Sequence, residues 1–418
     1  MKLLVFAHTP PPHHGQSYMV QLMLEGFGGD HRRQQPAATG TPHDIQCYHV
    51  NAQLSQSLAE IGGFQPSKIF RLLGYCGQAI WCRFRYGVKN FYYVPAPGKR
   101  SALYRDWLVM LLCRPFFPRR IFHWHAAGLG EWLAAGDQKK LRPLTHALLN
   151  RAALHLVLSE YNRHDADKFA PRATEVVSNG IPDPCPQFER ELLPRRQARQ
   201  RVRTQLASGQ TPGAADIRAA GKEPEVINVL FLALCSRDKG VFDAAAGVLR
   251  ANQTLQAQNQ PLRFRLWVAG TFPTAEAKAE FDKILAQPEA ADAIQLLGFV
   301  SGAAKTRAWQ EADLLCFPTY YANENQPVTL LEAMAFGLPL VTTRWRSLPE
   351  IVPPGYPHLA DIQSPEQVAT ALLAAAQEDC FTPLRAHFLA HYRLDRHLEN
   401  LARALHCVET PIAATTPR

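Results

Sequence analysis

Cys316–Val352, CFPTYYANENQPVTLLEAMAFGLPLVTTRWRSLPEIV, is the stretch on which the fold turns. The apolar run leading into it, Leu314-Leu315-Cys316-Phe317, stops at Pro318 and predicts a buried strand. The polar stretch Thr319 to Gln326 predicts a loop, and it carries Glu324. Pro327 stands where a first helical residue belongs, since its fixed φ suits a helix start and its missing N–H is not needed there. Val328 to Phe336 predicts a short apolar helix, closed by Gly337 with Pro339 beyond as a stop. Leu338 to Thr342 predicts the next strand. Strand, loop, helix and strand together make a parallel crossover unit.

The polar groups of this unit fall where a ligand would use them. A helix N-terminus fed by a loop presents free backbone N–H groups and a positive dipole end, which suits phosphate oxygens. Glu324 lies in the loop before that terminus and Glu332 inside the helix. An ionised carboxylate only accepts hydrogen bonds, so it suits sugar hydroxyls. Two carboxylates straddling an anion-binding helix end match one extended ligand: ribose, diphosphate, sugar. Spacing alone leaves a plainer alternative open, with Glu332 a solvated helix carboxylate and Glu324 a loop charge.

Composition bounds the remainder. A chain of 418 residues predicts two domains rather than one core. Its 47% hydrophobic and 19% charged residues are those of a soluble globular protein. A formal charge of +9 favours an acidic partner: a nucleotide, a lipid phosphate, an anionic membrane or nucleic acid. No nucleic-acid motif accompanies the charge, so nucleic acid is not expected. Nine scattered cysteines, with no Cys-x-x-Cys pair, read as small apolar residues in a reducing compartment. No signal peptide opens the chain, and its longest apolar run, Trp107 to Cys113, is too short to span a bilayer. A cytoplasmic protein is expected, with room for peripheral attachment at the inner face of a membrane.

Taken in order, Lys2 to Ala7 predicts a first buried strand. The loop after it carries Gly15, where backbone approaches a ligand closely or simply turns, before a helix from Tyr18 to Phe27. Asp30 to Asp44 predicts a surface loop and Ile45 to Val50 a strand. Lys68 to Tyr93 mixes aromatics with Lys68, Arg71, Arg83, Arg85 and Lys89, a pattern that suits a membrane surface; since no clean amphipathic register spans it, a core helix with basic residues outside is the favoured alternative. Strands follow at Phe91–Val94, Arg120–Trp124 and Leu154–Leu158, and Val176–Ile181 predicts the last strand and its turn. Ile121, His123 and His125 share one strand face, and His125 stands at the carboxyl tip where open sheets bind ligands. Pro182 to Glu225, with the basic run PRRQARQRVR, predicts an exposed helix and flexible linker. Beyond it strands are expected at Ile227–Leu234, Arg263–Gly270 and Ile294–Phe299. Lys239-Gly240, in the loop after the first of these, puts a mobile cation beside a flexible turn. Ser364–Gln377 and Leu384–Cys407 predict late helices, and Thr410–Arg418 a frayed tail.

Glu324-x7-Glu332, with Ala333-Met334-Ala335-x-Gly337-x-Pro339 and Leu348-Pro349-Glu350, resembles the donor-site signature of the family 4 glycosyltransferases. The resemblance covers most of the chain, strongly from Ile227 to Val352. It implies the α/β GT-B fold, in which two Rossmann-like doubly wound sheets face a cleft. It implies that residues 1–182 are the acceptor-side domain, 183–225 a linker, 226–383 the donor domain, 384–409 a helix crossing back, and 410–418 the tail. It further implies a retaining transfer from a nucleotide-diphosphate sugar to a carbohydrate or lipid-linked acceptor. In that frame Glu324 meets the donor sugar, Glu332 the ribose, and Asn325, Gln326, Pro327, Val328 and Thr329 the diphosphate and its surroundings. Gly298, Phe299 and Val300 would lie against the base. Lys239 would neutralise the leaving diphosphate with Arg237 beside it, because the family's upstream arginine position falls on Leu234. His125 would be an active-site histidine with His123 as its fallback, and Gly15 would serve the same region, although the family usually has two adjacent glycines there. No Asp-x-Asp motif is present, so no metal or other cofactor is expected. Two rivals share the fold: a nucleotide-sugar epimerase, and a non-catalytic nucleotide-sugar-binding relative.

Overall fold

The computed structural model describes residues 1–11, 15–33, 42–54 and 66–409. The chain divides into two units: Met1–Ile181 with the chain from Leu394 onward, and Pro182–Arg393. The tail 410–418 lies outside the described residues, as do residues 12–14 of the first loop and residues 34–41 of the expected loop from Asp30 to Asp44.

The first unit holds strands β1 (Lys2–Phe6), β2 (Gln46–Val50), β3 (Asn90–Tyr93), β4 (Arg119–Trp124), β5 (Leu154–Val157) and β6 (Thr174–Val176). They form one parallel sheet in the order β2-β1-β3-β4-β5-β6. Continuous apolar runs such as Leu3-Leu4-Val5-Phe6 form its centre because helices cover both faces. On one face Val20, Met23 and Leu24 of the helix Gly15–Gly26 pack with Leu398, Leu401 and Leu405 of the helix Leu394–Cys407. On the other, Leu72, Cys76, Ala79 and Cys82 of the helix Pro66–Tyr86 join Phe91, Phe117 and Phe122. The last strand ends at Val176, the first residue of the stretch expected to hold strand and turn, and Val177 to Ile181 is the exit from the sheet.

The second unit holds β7 (Val226–Leu232), β8 (Arg263–Ala269), β9 (Ile294–Gly298), β10 (Leu314–Phe317), β11 (Leu340–Thr343) and β12 (Leu359–Ala360). Its parallel sheet runs β12-β11-β10-β7-β8-β9. Read from β9, the chain order is 3-2-1-4-5-6, and the order reverses between β7 and β10. In an open sheet the loops leaving two such strands diverge to opposite faces and leave a crevice between them.

Two expectations are corrected. The segment 183–225 is not a flexible linker with an exposed basic helix. It folds into the helices Leu193–Ala207 and Ala214–Ala220, and Arg196, Arg199 and Arg203 are buried. Their i, i+3, i+7 spacing puts them on one helix face, turned toward Asp313. The Asp313 carboxylate accepts from Arg199 Nε at 2.8 Å, Arg203 Nη2 at 2.7 Å and the Asn228 amide at 2.9 Å. Although burial opposes its charge, those two guanidinium groups hold the Asp313 carboxyl far below the ordinary carboxylate range. Next, the expected late helix Leu384–Cys407 is broken at Tyr392. Its first part, Phe381–His391, stays with the second unit, where Arg385 grips Asp183 at 2.5 Å and the Ala335 carbonyl at 2.8 Å. At the head of the expected surface loop, Asp30 accepts from Arg32 at 2.8 Å and from the His49 amide at 3.2 Å.

Candidate functional site

The crevice between β7 and β10 gathers the polar residues singled out in the sequence. Leaving β7, the chain turns through Leu234 to Lys239 and reaches Gly240, whose φ of +86° is left-handed. A Cβ there would meet the Pro318 carbonyl oxygen at 2.3 Å, so only glycine lets the β7 and β10 loops approach this closely. That approach delivers Lys239 Nζ to Glu324 Oε2 at 2.7 Å. Thr319 Oγ1 donates to the same oxygen at 2.9 Å, and the Tyr321 ring lies 4.4 Å under Nζ. Glu324 is 6% exposed. A carboxylate that buried needs both its cation and its hydroxyl donor, and it has both.

The helix Val328–Ala335 begins beside this pair. Pro327 has φ −67° and ψ 125°, so it is the extended cap residue rather than the first helical one, a single position before expectation. No side chain caps this end, which leaves the first-turn amides at Val328 and Thr329 directed toward the crevice. Thr329 anchors the helix to β7 by donating to the Leu232 carbonyl at 3.2 Å. Asn325 and Gln326 are buried just ahead of it, and Ser347 Oγ fixes this backbone by donating to the Asn325 carbonyl at 2.5 Å. The loop after β11 contributes a further tie, Trp345 Nε1 to the Tyr321 carbonyl at 2.9 Å.

Glu332 lies one turn into the helix and is neither a solvated carboxylate nor close-paired with Glu324. Burial pushes its carboxyl above the ordinary range, while Lys305 Nζ, at 2.5 Å from Oε1, opposes that shift. Lys305 had no signal in the sequence, because its partner is 27 residues away on another helix. Trp345 and Ser347 were missed for the same reason, their partners Tyr321 and Asn325 lying 24 and 22 residues away. Gly298 and Phe299 close β9; Gly298 has open space around it, Phe299 is 67% exposed, and Val300 is half-buried beside them.

Arg237 is not drawn into the Lys239–Glu324 pair. Its guanidinium pairs with Glu280 and stacks 4.4 Å over Phe242. Leu234 is partly exposed at the position where a second cation was sought.

The remaining candidates lie in the first unit, on the carboxyl edge of its sheet. Gly15 opens the helix Gly15–Gly26 and is exposed. His125 is half-buried one residue past β4, with its ring 4.1 Å from that of His123. His123 itself is 1% exposed and shares a hydrogen bond through Nδ1 with the Tyr92 hydroxyl at 2.6 Å. Burial, with His125 and His397 nearby, holds its pKa well below the usual imidazole value. A neutral ring locked to a buried tyrosine reads as packing, which leaves His125 as the histidine at the edge. Among the described residues no group of three or more His, Cys, Asp or Glu side chains is arranged to hold a metal ion, and no helix is long and apolar enough to cross a membrane.

Residues 229–378 match the family model described as glycosyl transferases group 1. Over 166 residues the chain is 28% identical to a Salmonella typhimurium protein assigned to colanic acid biosynthesis as glycosyltransferase WcaL; the match spans 39% of this chain and 37% of that relative. Among solved structures, sucrose-phosphate synthase from Thermosynechococcus elongatus superposes with a TM-score of 0.64 at 16% identity, over 98% of this chain and 99% of the other. Anabaena HepE in complex with UDP-glucose gives a TM-score of 0.60 at 14% identity, over 97% and 99%. At such identities the structures establish a shared fold, the α/β GT-B architecture.

Proposed function

We propose, on the premise that residues 229–378 are a glycosyl transferases group 1 domain, that this chain is a retaining glycosyltransferase using a nucleotide-diphosphate sugar. The acceptor is a carbohydrate or lipid-linked carbohydrate of surface polysaccharide or glycolipid synthesis. One observation carries the reading: Lys239, Glu324 and an uncapped helix start converge where β7 and β10 diverge. The diphosphate would lie against Lys239 and the amides of Val328 and Thr329, the sugar hydroxyls against Glu324, and the ribose against Glu332. The Lys239–Glu324 ion pair opens as donor enters, each partner exchanging the other for a ligand oxygen. The acceptor hydroxyl attacks the anomeric carbon on the face that the leaving group vacates. The bond from that carbon to the β-phosphate oxygen breaks, and the hydroxyl proton passes to the departing phosphate. Lys239 and the amides hold the charge that develops there, so the reading calls on no metal ion. His125 and the Gly15 loop are proposed for the acceptor. WcaL's assignment to colanic acid biosynthesis and the UDP-glucose bound to HepE support a sugar-nucleotide donor and a polysaccharide product.

A peripheral membrane contact belongs to the same proposal. The helix Pro66–Tyr86 exposes Phe70, Leu73, Trp81 and Phe84, with Arg71 and Arg85 exposed beside them. Aromatic bodies flanked by cations suit an anionic lipid surface, where a lipid-linked acceptor would be presented.

The donor reading is tested by thermal shift against UDP, GDP, ADP and their sugars. Stabilisation by one nucleotide set is expected, because a ligand bound only by the folded state raises its stability. Turnover of the sugar nucleotide without acceptor would favour an epimerase instead. Binding with no turnover under any acceptor would favour a non-catalytic relative.

A further inference from the structure

Glu332 is held from one side by a single helix. Lys305 and Trp309, both on the helix Gly302–Glu311, stand four residues apart and therefore on one helix face. Lys305 Nζ meets Glu332 Oε1 at 2.5 Å, and the Trp309 indole lies beside the same carboxylate. This helix does not drift. Trp309 is 2% exposed and stacks on Phe336, with centroids 6.0 Å apart and planes 13° from parallel. Arg196 pins the helix end by donating to the Trp309 and Ala312 carbonyls at 3.1 and 2.7 Å.

A carboxylate has two oxygens, and Lys305 engages one of them. With the Trp309 indole beside it, the carboxylate still has acceptor capacity for a hydroxyl, because each oxygen can accept more than one hydrogen bond, and an ionised acceptor makes a shorter, stronger bond than a neutral one. Burial alone would drive Glu332 toward the neutral acid. A vicinal diol is best bound by an acceptor that is both charged and fixed in direction. We propose that Lys305 is a positioning residue for the nucleotide: by holding Oε1 it fixes the Glu332 carboxylate in the direction that meets the ribose 2′,3′-diol. This inference rests on the donor-site reading above and assigns Lys305 a part in it that is distinct from touching the reacting atoms.

A purely structural ion pair would give the same contact, so the experiment must read the diol and not only the fold. Calorimetric titration of the full chain is done with UDP, GDP and ADP, each against its 2′,3′-dideoxy counterpart, which carries the same phosphates and base. For a diphosphate the wild type binds, Lys305→Met is expected to weaken the ribose form about tenfold or more. The dideoxy form should stay within about twofold, and Lys305→Arg should restore most of the loss. Should the methionine variant fail to fold, Lys305→Gln carries the same selective expectation at about threefold, since a neutral donor still reaches Oε1. Equal losses on both forms, or no loss on either, overturn the inference and leave the donor site standing. A wild type that binds none of the three diphosphates overturns the donor-site reading and this inference with it.

Discussion

Lys239 and Glu324 show what a single contact adds to a motif. Each was legible in the sequence as a candidate, the lysine by its glycine neighbour and the glutamate by its spacing to Glu332. Their 2.7 Å pairing was not, because the two lie 85 residues apart and meet only through the close approach at Gly240. The pair makes the two substitutions unequal. Glu324→Gln keeps a carbonyl oxygen for Thr319 and Lys239, so the fold should survive while sugar transfer falls about 10²–10³-fold, as when one preorganised polar group is lost from a site. Lys239→Met strands a buried carboxylate and should in addition lower stability by about 2–4 kcal/mol, somewhat below a fully buried pair because Lys239 keeps some solvent. Thermal melts beside initial rates check both; wild-type transfer in Glu324→Gln would sink the donor assignment.

At the scale of elements, two helices carry the main differences between expectation and structure. In the helix Pro66–Tyr86 no amphipathic register was visible, and the reason is now plain. Leu72, Cys76, Ala79 and Cys82 face the core, while Phe70, Leu73, Trp81 and Phe84 line an opposite, exposed stripe. The stretch read from the sequence, Lys68 to Tyr93, also ran past the helix end at Tyr86 into β3, which mixes a helical and a strand period in one window. The outer stripe makes a prediction. Sedimentation with phosphatidylglycerol vesicles should carry the wild type down, weaken as salt rises, and drop severalfold in a Phe70→Ser, Trp81→Ser variant. Equal sedimentation of the two proteins would dismiss this helix as the contact. In the helix Leu193–Ala207 the basic run itself was easy to see, but a run of arginines ordinarily marks a solvated face. What buries it is Asp313, 110 residues beyond Arg203 and carried there by the start of β10.

At the scale of the whole molecule, buried histidines tie stability to pH. His123, His155 and His397 all belong to the first unit and are buried. Burial brings His155 down to about 3 and His397 to about 4. These folded values lie below the unfolded imidazole value near 6.5. The unfolded state therefore binds protons first as pH falls, so the stability these residues allow is full above about 6.5 and is lost from there toward 4. Between pH 7 and pH 5 the first unit should lose about 2 kcal/mol for each such histidine. Hydrogen exchange at the two pH values would locate the loss: β4 and β5 should open first at pH 5, and His397→Gln should reduce the difference. Identical protection at both values would contradict it.

The sequence by itself determined the alternation of strand and helix, the parallel sheets, and the identity of Glu324, Glu332 and Lys239 as candidates. Those signals are local: an apolar run, a proline, a glycine and a carboxylate spacing act over a few residues and are written consecutively. The tertiary structure alone decided which charges meet. It paired Lys239 with Glu324 and Lys305 with Glu332, turned Arg237 toward Glu280, sank Arg199 and Arg203 onto Asp313, and set Arg196 on the Ala312 carbonyl. It also separated His123, bound to Tyr92, from His125 at the strand tip. Charge pairing depends on distances of a few ångströms between side chains on different elements. Those distances follow from strand order, which places β7 beside β10 although more than eighty residues of chain lie between them.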